Sequence, residues 1–148
     1  MARKRKLNIY LVSSSFYQEI SDRQIKNTIS ILKKELSSSD LTINVIQTEG
    51  SLEIPFIVNR VCKRKKPNGV IALGCIIKGK TNHYEIISNS VTNNLTQLSL
   101  EYDIPITSGV LTVTEKKQIK ERTNGGPKDR AVEAAKSLVK LINVSKDL

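Results

Sequence analysis

Apolar positions along this chain switch repeatedly between two periods: short runs or alternations that suit strands, and i, i+3, i+4 spacings that suit helices. Leu7 to Val12 is a compact apolar run and predicts a first strand. Ile25, Ile29, Leu32 and Leu36 then recur at helical spacing, and Ser21 with Gln24 just ahead of them reads as a capping box for that helix. Ser37 to Asp40 interrupts the helix, and Leu41 to Ile46 alternates as a second strand should. Gly50 ends that strand region. Pro55 suits the first turn of a helix, where its missing N–H is not needed, and Ile54, Ile57, Val58 and Val61 supply the buried side.

Lys63 to Lys66 place positive charge where a helix C-terminus favours it, and Pro67-Asn68-Gly69 turns the chain into Val70 to Leu73. That run is apolar on both faces, as a central parallel strand is. After a loop through Gly79, Asn82 to Glu85 reads as another capping box, followed by Ile86, Ile87, Val91, Leu95 and Leu98 on a long helix. Pro105 to Val113 reads as the fourth strand, Thr114 as the cap of a short helix reaching about Arg122, and Asp129 or a neighbour as the start of a last helix with Val132, Ala135, Leu138, Val139 and Ile142 inward. Strands alternating with helices predict an α/β protein: four parallel strands flanked by helices in three layers. With 148 residues the chain reads as one domain over 7–148, preceded by a basic tail over 1–6 that is expected to lack order.

Composition narrows the partners. A hydrophobic share of 39% and a charged share of 26% are near globular averages, and no apolar stretch reaches the roughly 18 residues of a membrane span. The apolar run after the basic N-terminus is too short for most signal-peptide cores, so a cytoplasmic location is expected. Cys62 and Cys75 belong to no CxxC pair, which points to two reduced thiols and to no metal. A net charge of +10 fits nucleic acid, a phosphate-bearing substrate or plain lysine richness. Trp is absent and Phe and Tyr total only six, too few for a stacking platform, so neither nucleic acid nor membrane is an expected partner.

In open parallel sheets, ligands bind beyond the strand carboxyl ends. That selects Ser13 to Tyr17, Glu49 to Glu53, Gly74 to His83 and Thr112 to Thr114. In the third of these, Gly79 lets backbone approach a ligand, and the amides leading into a helix form a cradle for phosphate, with Lys80 adding full charge. His83 is the only histidine, and an imidazole can exchange protons near neutral pH; the alternative is a capping or surface histidine. Arg122 and Arg130 bracket a Gly-Gly-Pro loop, where guanidinium groups either grip phosphate or remain solvated helix-end charges. Glu53 and Glu133 carry the same two readings.

Taken together and in this order, these segments resemble the lumazine synthase family from Leu7 to about Leu141. Ser15-Phe-Tyr-Gln-Glu-Ile20 resembles the family's Arg-Phe-Asn-type turn, and Gly50-Ser-Leu-Glu-Ile-Pro55 its Gly-Ala-Phe-Glu-Ile-Pro. Ala72-Leu-Gly-Cys-Ile-Ile-Lys-Gly-Lys-Thr-Asn-His83 resembles its Ala-Leu-Gly-x-x-Ile-Arg-Gly-x-Thr-x-His. Gly109 to Thr112, Glu121-Arg122 and Glu133 to Ala135 keep the family's spacing to the end.

The resemblance implies a flavodoxin-like sheet and a ring of five subunits with active sites between neighbours, stacked into hollow shells in some members. It implies condensation of 5-amino-6-ribitylaminouracil with 3,4-dihydroxy-2-butanone 4-phosphate to 6,7-dimethyl-8-ribityllumazine in riboflavin biosynthesis, without cofactor or metal. By the same resemblance Phe16 stacks on the pyrimidine, and Ser51, Leu52 and Glu53 hold the ribityl chain. Cys75, Ile76 and Ile77 line the pyrimidine pocket, while Lys80, Thr81 and a neighbour's Arg122 hold phosphate, with Arg130 where the family usually has a lysine. His83 moves protons, oriented by Glu133. Ser108 and Leu52 stand where the family places phenylalanines and Tyr17 where it places asparagine, so stacking is expected to rest on Phe16. Those replacements leave a second reading: a non-catalytic flavin or lumazine binder or scaffold on the same fold.

Overall fold

The computed structural model describes residues 3–148; Met1 and Ala2, the first two residues of the expected basic tail, lie outside them. The order of elements is β1 (Lys6–Ser14), α1 (Gln18–Glu35), β2 (Asp40–Thr48), α2 (Ile54–Lys65), β3 (Gly69–Ile77), α3 (His83–Tyr102), β4 (Ile106–Val113), α4 (Gln118–Glu121) and α5 (Arg130–Ser145), with a single 3-10 turn over Ser51–Glu53. All four strands run parallel, in the spatial order β2-β1-β3-β4. The expected α/β class and four-stranded parallel sheet are therefore present. Strand β1 begins at Lys6, so the last residue of the expected tail already belongs to the sheet.

Central position explains the composition of the strands. β1 and β3 are covered on both faces, and their side chains alternate between two cores. Leu7, Ile9, Leu11, Ile71 and Leu73 pack with Leu32, Leu36, Leu138 and Ile142 of α1 and α5. Tyr10, Val12, Val70, Ala72 and Ile76 pack on the other side with Val58, Val61, Val91 and Leu95 of α2 and α3. A third, smaller cluster of Ile20, Cys75, Leu111 and Val113 lies with Tyr17 and Ile119. β2 is an edge strand whose residues alternate between exposed and half-buried, which its apolar-polar alternation anticipated.

The helix starts differ from the expected capping boxes. α1 begins at Gln18, a turn before the predicted cap, so Ser21 and Gln24 are interior positions facing the sheet. Ser21 Oγ lies 2.6 Å from Ser13 Oγ, and Gln24 Nε2 donates to the carbonyls of Gly74 at 2.9 Å and Gly109 at 3.2 Å. Their polar character marks buried struts between α1 and the sheet. Asn82 does precede α3 but makes no side-chain cap bond, and Thr114 does not cap α4; there Gln118 Oε1 accepts from the Thr114 amide at 3.0 Å. β3 continues to Ile77, so Gly74 to Ile77 are strand where a loop was expected.

Of the positions the sequence allowed for the start of the last helix, Asp129 is the cap. Fully buried, its Oδ1 accepts from the amides of Ala131 at 2.9 Å and Val132 at 3.1 Å, and its Oδ2 from Gly125 N at 2.7 Å and Asn27 Nδ2 at 2.9 Å. One carboxylate thus ties the start of α5, the preceding loop and α1 together. Nearby, Gly109 permits close packing of α5, since a Cβ there would meet Leu73 Cδ2 at 2.8 Å and Ala131 Cα at 3.2 Å. Replacing Asp129 by Ala leaves buried amides without acceptors and should cost about 2 kcal/mol or more. Urea unfolding measures this directly: the midpoint should fall at unchanged slope, and a midpoint equal to wild type would contradict the assigned role.

Candidate active site

Three chain turns meet above the carboxyl ends of β1, β2 and β3. Winding leaves β1 toward β2 on one side and resumes through β3 toward β4 on the other, so the loops after β1 and β3 diverge and leave a crevice. A cleft of about 410 Å³ occupies it, lined by Phe16, Tyr17, Gly50, Ser51, Leu52, Glu53, Cys75, Ile76, Ile77, Gly79, Thr81, His83, Tyr84 and Ile87. Nine of the expected site residues are among these: Phe16, Ser51, Leu52, Glu53, Cys75, Ile76, Ile77, Thr81 and His83. Lys80, exposed, lies between Gly79 and Thr81 on the same loop.

The floor follows from the register. β1 pairs with β3 only as far as Ser13 opposite Leu73, whereas β3 pairs with β4 through Ile77 opposite Val113. Along Cys75 to Ile77, β3 therefore has no strand partner on its β1 side, and peptide groups there remain available to a ligand. Gly74 keeps this floor low: a Cβ at that position would lie 3.0 Å from Ser51 Oγ and 3.2 Å from Ser14 Cβ. At Gly50 the glycine leaves room for a folded-back carboxylate, since a Cβ would come within 2.8 Å of Glu53 Oε2. Gly79 has open space where its Cβ would be, so no contact within the chain requires glycine there.

His83 opens α3 at the rim of the cleft and is exposed, with its amide 3.3 Å from Thr81 Oγ1. The amino end of α3 brings partial positive charge to the same loop as Lys80. Phe16 is 70% exposed and Leu52 51%, so the mouth of the cleft presents apolar surface to solvent. The turn carrying Phe16 is pinned to the end of β2, because Ser15 donates to the Thr48 carbonyl from its amide at 2.7 Å and from its hydroxyl at 3.1 Å.

Besides Lys80, four expected site residues do not line the cleft of their own chain. Ser108 lies within edge strand β4, opposite Ala72, its hydroxyl accepting from the Val110 amide at 3.2 Å. Arg122 follows α4, with a buried Nε that has no partner among the described residues. Arg130 Nη1 pairs with Glu133 Oε2 at 3.1 Å on α5, which packs on the face of the sheet opposite α3. Among the described residues no hydrogen bond joins Glu133 to His83. The expected loop Thr112 to Thr114 is likewise absent from the lining. Conversely, Tyr84 and Ile87 had no assigned role; Ile87 follows His83 by one helical turn, a spacing that reads equally well as core, and nothing in the spacing marks Tyr84.

An apolar slot with an open peptide edge at its floor and an imidazole at its rim suits a small flat molecule that must gain and lose protons, which are the working parts of a small-molecule enzyme of the parallel α/β class. The sequence pattern of 6,7-dimethyl-8-ribityllumazine synthase matches residues 6–146, and the chain belongs to that family. The enzyme of that name from Leuconostoc mesenteroides subsp. mesenteroides is 35% identical over 139 residues, covering 92% of this chain and 86% of the other. Its counterpart from Buchnera aphidicola subsp. Baizongia pistaciae is 35% identical over 144 residues, covering 97% and 91%. No helix among the described residues is long and apolar enough to cross a membrane.

Burial pushes both thiols up, Cys75 under the cleft and Cys62 on α2 each to about 11. Each thiol is thus protonated at neutral pH and a poor nucleophile. Because the folded-state value lies above the ordinary 9.0, the unfolded chain releases these protons first as pH rises. Their contribution to stability is intact below pH 9 and declines as pH approaches 11. Alkylation of both cysteines by iodoacetamide at pH 8 should be slow until denaturant is added; rapid labelling of the native protein would contradict the burial.

Proposed function

We propose that this chain condenses 5-amino-6-ribitylaminouracil with 3,4-dihydroxy-2-butanone 4-phosphate, forming 6,7-dimethyl-8-ribityllumazine and releasing phosphate and water. The observation that carries this reading is the peptide edge of Cys75 to Ile77 left open beside β1, since a pyrimidine presents amide-like donors and acceptors along its rim. Phe16 stacks on that ring, while Ser51, Leu52 and Glu53 take the ribityl chain. Lys80, Thr81 and the amino end of α3 receive the phosphate. His83 relays protons as the imine forms and phosphate departs. Bringing two reactants into one oriented pair recovers roughly 7 to 11 kcal/mol of barrier, and a proton relay adds about a hundred- to ten-thousand-fold.

The cations missing from the single-chain cleft come, on this reading, from a neighbouring copy. Arg122 and Arg130 of the next protomer complete the phosphate pocket, Glu133 orients His83, and Ser108 faces the ring. Five copies close the ring, the whole of 7–148 acts as one domain, and the enzyme works in the cytoplasm. No cofactor or metal takes part.

Mixing the protein with both substrates should yield a fluorescent lumazine and free phosphate well above the spontaneous rate. His83→Ala should lower kcat about a hundred-fold or more with assembly mass unchanged. An unchanged rate would remove the imidazole from the mechanism; tight binding of lumazine or riboflavin by wild type without turnover would favour a carrier. Sharing of sites has its own test: His83→Ala and Arg122→Ala proteins, each nearly inactive, should regain activity when unfolded together and reassembled. A mixture no better than its components would place each site within one chain.

A further inference from the structure

Phe16 is a large apolar side chain left 70% exposed at the mouth of the cleft, and its neighbour explains how it can still present a fixed surface. The rings of Phe16 and Tyr17 stand edge to face, with centroids 4.9 Å apart and planes at 82°. Tyr17 is rooted: half-buried, it packs on the cluster of Ile20, Cys75, Leu111 and Val113, and its carbonyl accepts from Ser21 N at 3.0 Å. The Ser15 bonds to Thr48 hold the backbone just before Phe16. What remains free is the Phe16 side chain itself, and the Tyr17 ring limits it.

We infer that Tyr17 is a ring-positioning residue, which sets the affinity of the cleft for a flat heterocycle by bracing the exposed ring of Phe16. The inference rests on the proposed reading of the cleft as a pyrimidine and lumazine site. An exposed phenylalanine that explores several rotamers must be immobilised when a ligand stacks on it, and that ordering weakens binding. A pre-braced ring avoids the loss. In an edge-to-face pair at most one face of Phe16 is covered, so at least one stays open for stacking. Elsewhere in the lining, Leu52 is aliphatic and half exposed, and Ser108 is absent from it, so neither offers a second aromatic plane.

The test uses the full chain and 6,7-dimethyl-8-ribityllumazine as a binding probe, together with steady-state kinetics on both substrates. Tyr17→Leu keeps an apolar anchor toward Ile20 and Ile119 but removes the ring. It should weaken lumazine binding and raise KM for the pyrimidine about three- to ten-fold, the range expected for one aromatic pair. kcat and KM for the ketose phosphate should stay within about two-fold. Tyr17→Phe, which keeps the ring and loses the hydroxyl, should match wild type.

A Phe16→Leu protein should lose affinity, and adding Tyr17→Leu to it should cost nothing further, because the brace then has nothing to hold. Undiminished lumazine binding by Tyr17→Leu would overturn the inference. So would a Tyr17→Phe defect equal to that of Tyr17→Leu, or full additivity in the double variant. A parallel fall in kcat and thermal midpoint would instead assign Tyr17 a purely structural role and also overturn it. Wild type that binds lumazine in the predicted order across variants yet forms none would sink the catalytic reading while leaving the brace standing; wild type that binds no lumazine would sink the brace.

Discussion

Everything at the site depends on the unequal pairing of β1 on its two sides. β1 pairs with β2 along its whole length, Lys6 opposite Asp40 through Ser14 opposite Thr48, but with β3 only from Ile9 to Ser13. The chain turns away at Ser15, while β3 continues beside β4 for four more residues. Parallel strands force every connection to return across a face of the sheet, and reversing the winding at β1 sends the two returns to opposite faces. A crevice over the strand ends is the geometric consequence, and its floor is the edge of Cys75 to Ile77 that no strand pairs.

Buried polar groups keep that crevice in shape. Ser13, Ser21 and Gln24 lie between α1 and the sheet, with Gln24 holding carbonyls of both β3 and β4 directly beneath the cleft. Such a strut is stabilising only when its atoms find partners, and one does not: Gln24 Oε1 has none among the described residues. Asp129 plays the corresponding part for the loop after Arg122, satisfying four donors with one carboxylate. Both devices organise backbone that carries or supports site residues.

Charge is distributed unevenly around the cleft. The apolar slot and His83 lie together at the strand ends, whereas Arg122 follows α4 outside the lining and Arg130 and Glu133 pair on α5, across the sheet from α3. A single chain therefore lines the apolar slot but leaves these charged side chains outside it. Surface ion pairs such as Arg130 with Glu133 contribute little to stability, so this contact does not by itself fix the start of α5.

From the residues alone, periodicity determined the class of fold, because alternation and 3.6-residue spacing report which faces are buried whatever surrounds them. Pro55, the lysines after Val61, and Asp129 marked helix ends for equally local reasons. The order of motifs was legible too, and it located nine of the lining residues. Local patterns failed at Ser21 and Gln24: a polar residue before an apolar run looks the same whether it caps a helix or props a sheet, and only packing of α1 against β3 and β4 distinguishes the two. They failed again at Tyr17, whose worth comes from a neighbouring ring and a cluster drawn from three other elements. Strand order, the overhang of β3 and the separation of Glu133 from His83 are relations between distant segments. No window of sequence contains them, so only the folded chain decides them.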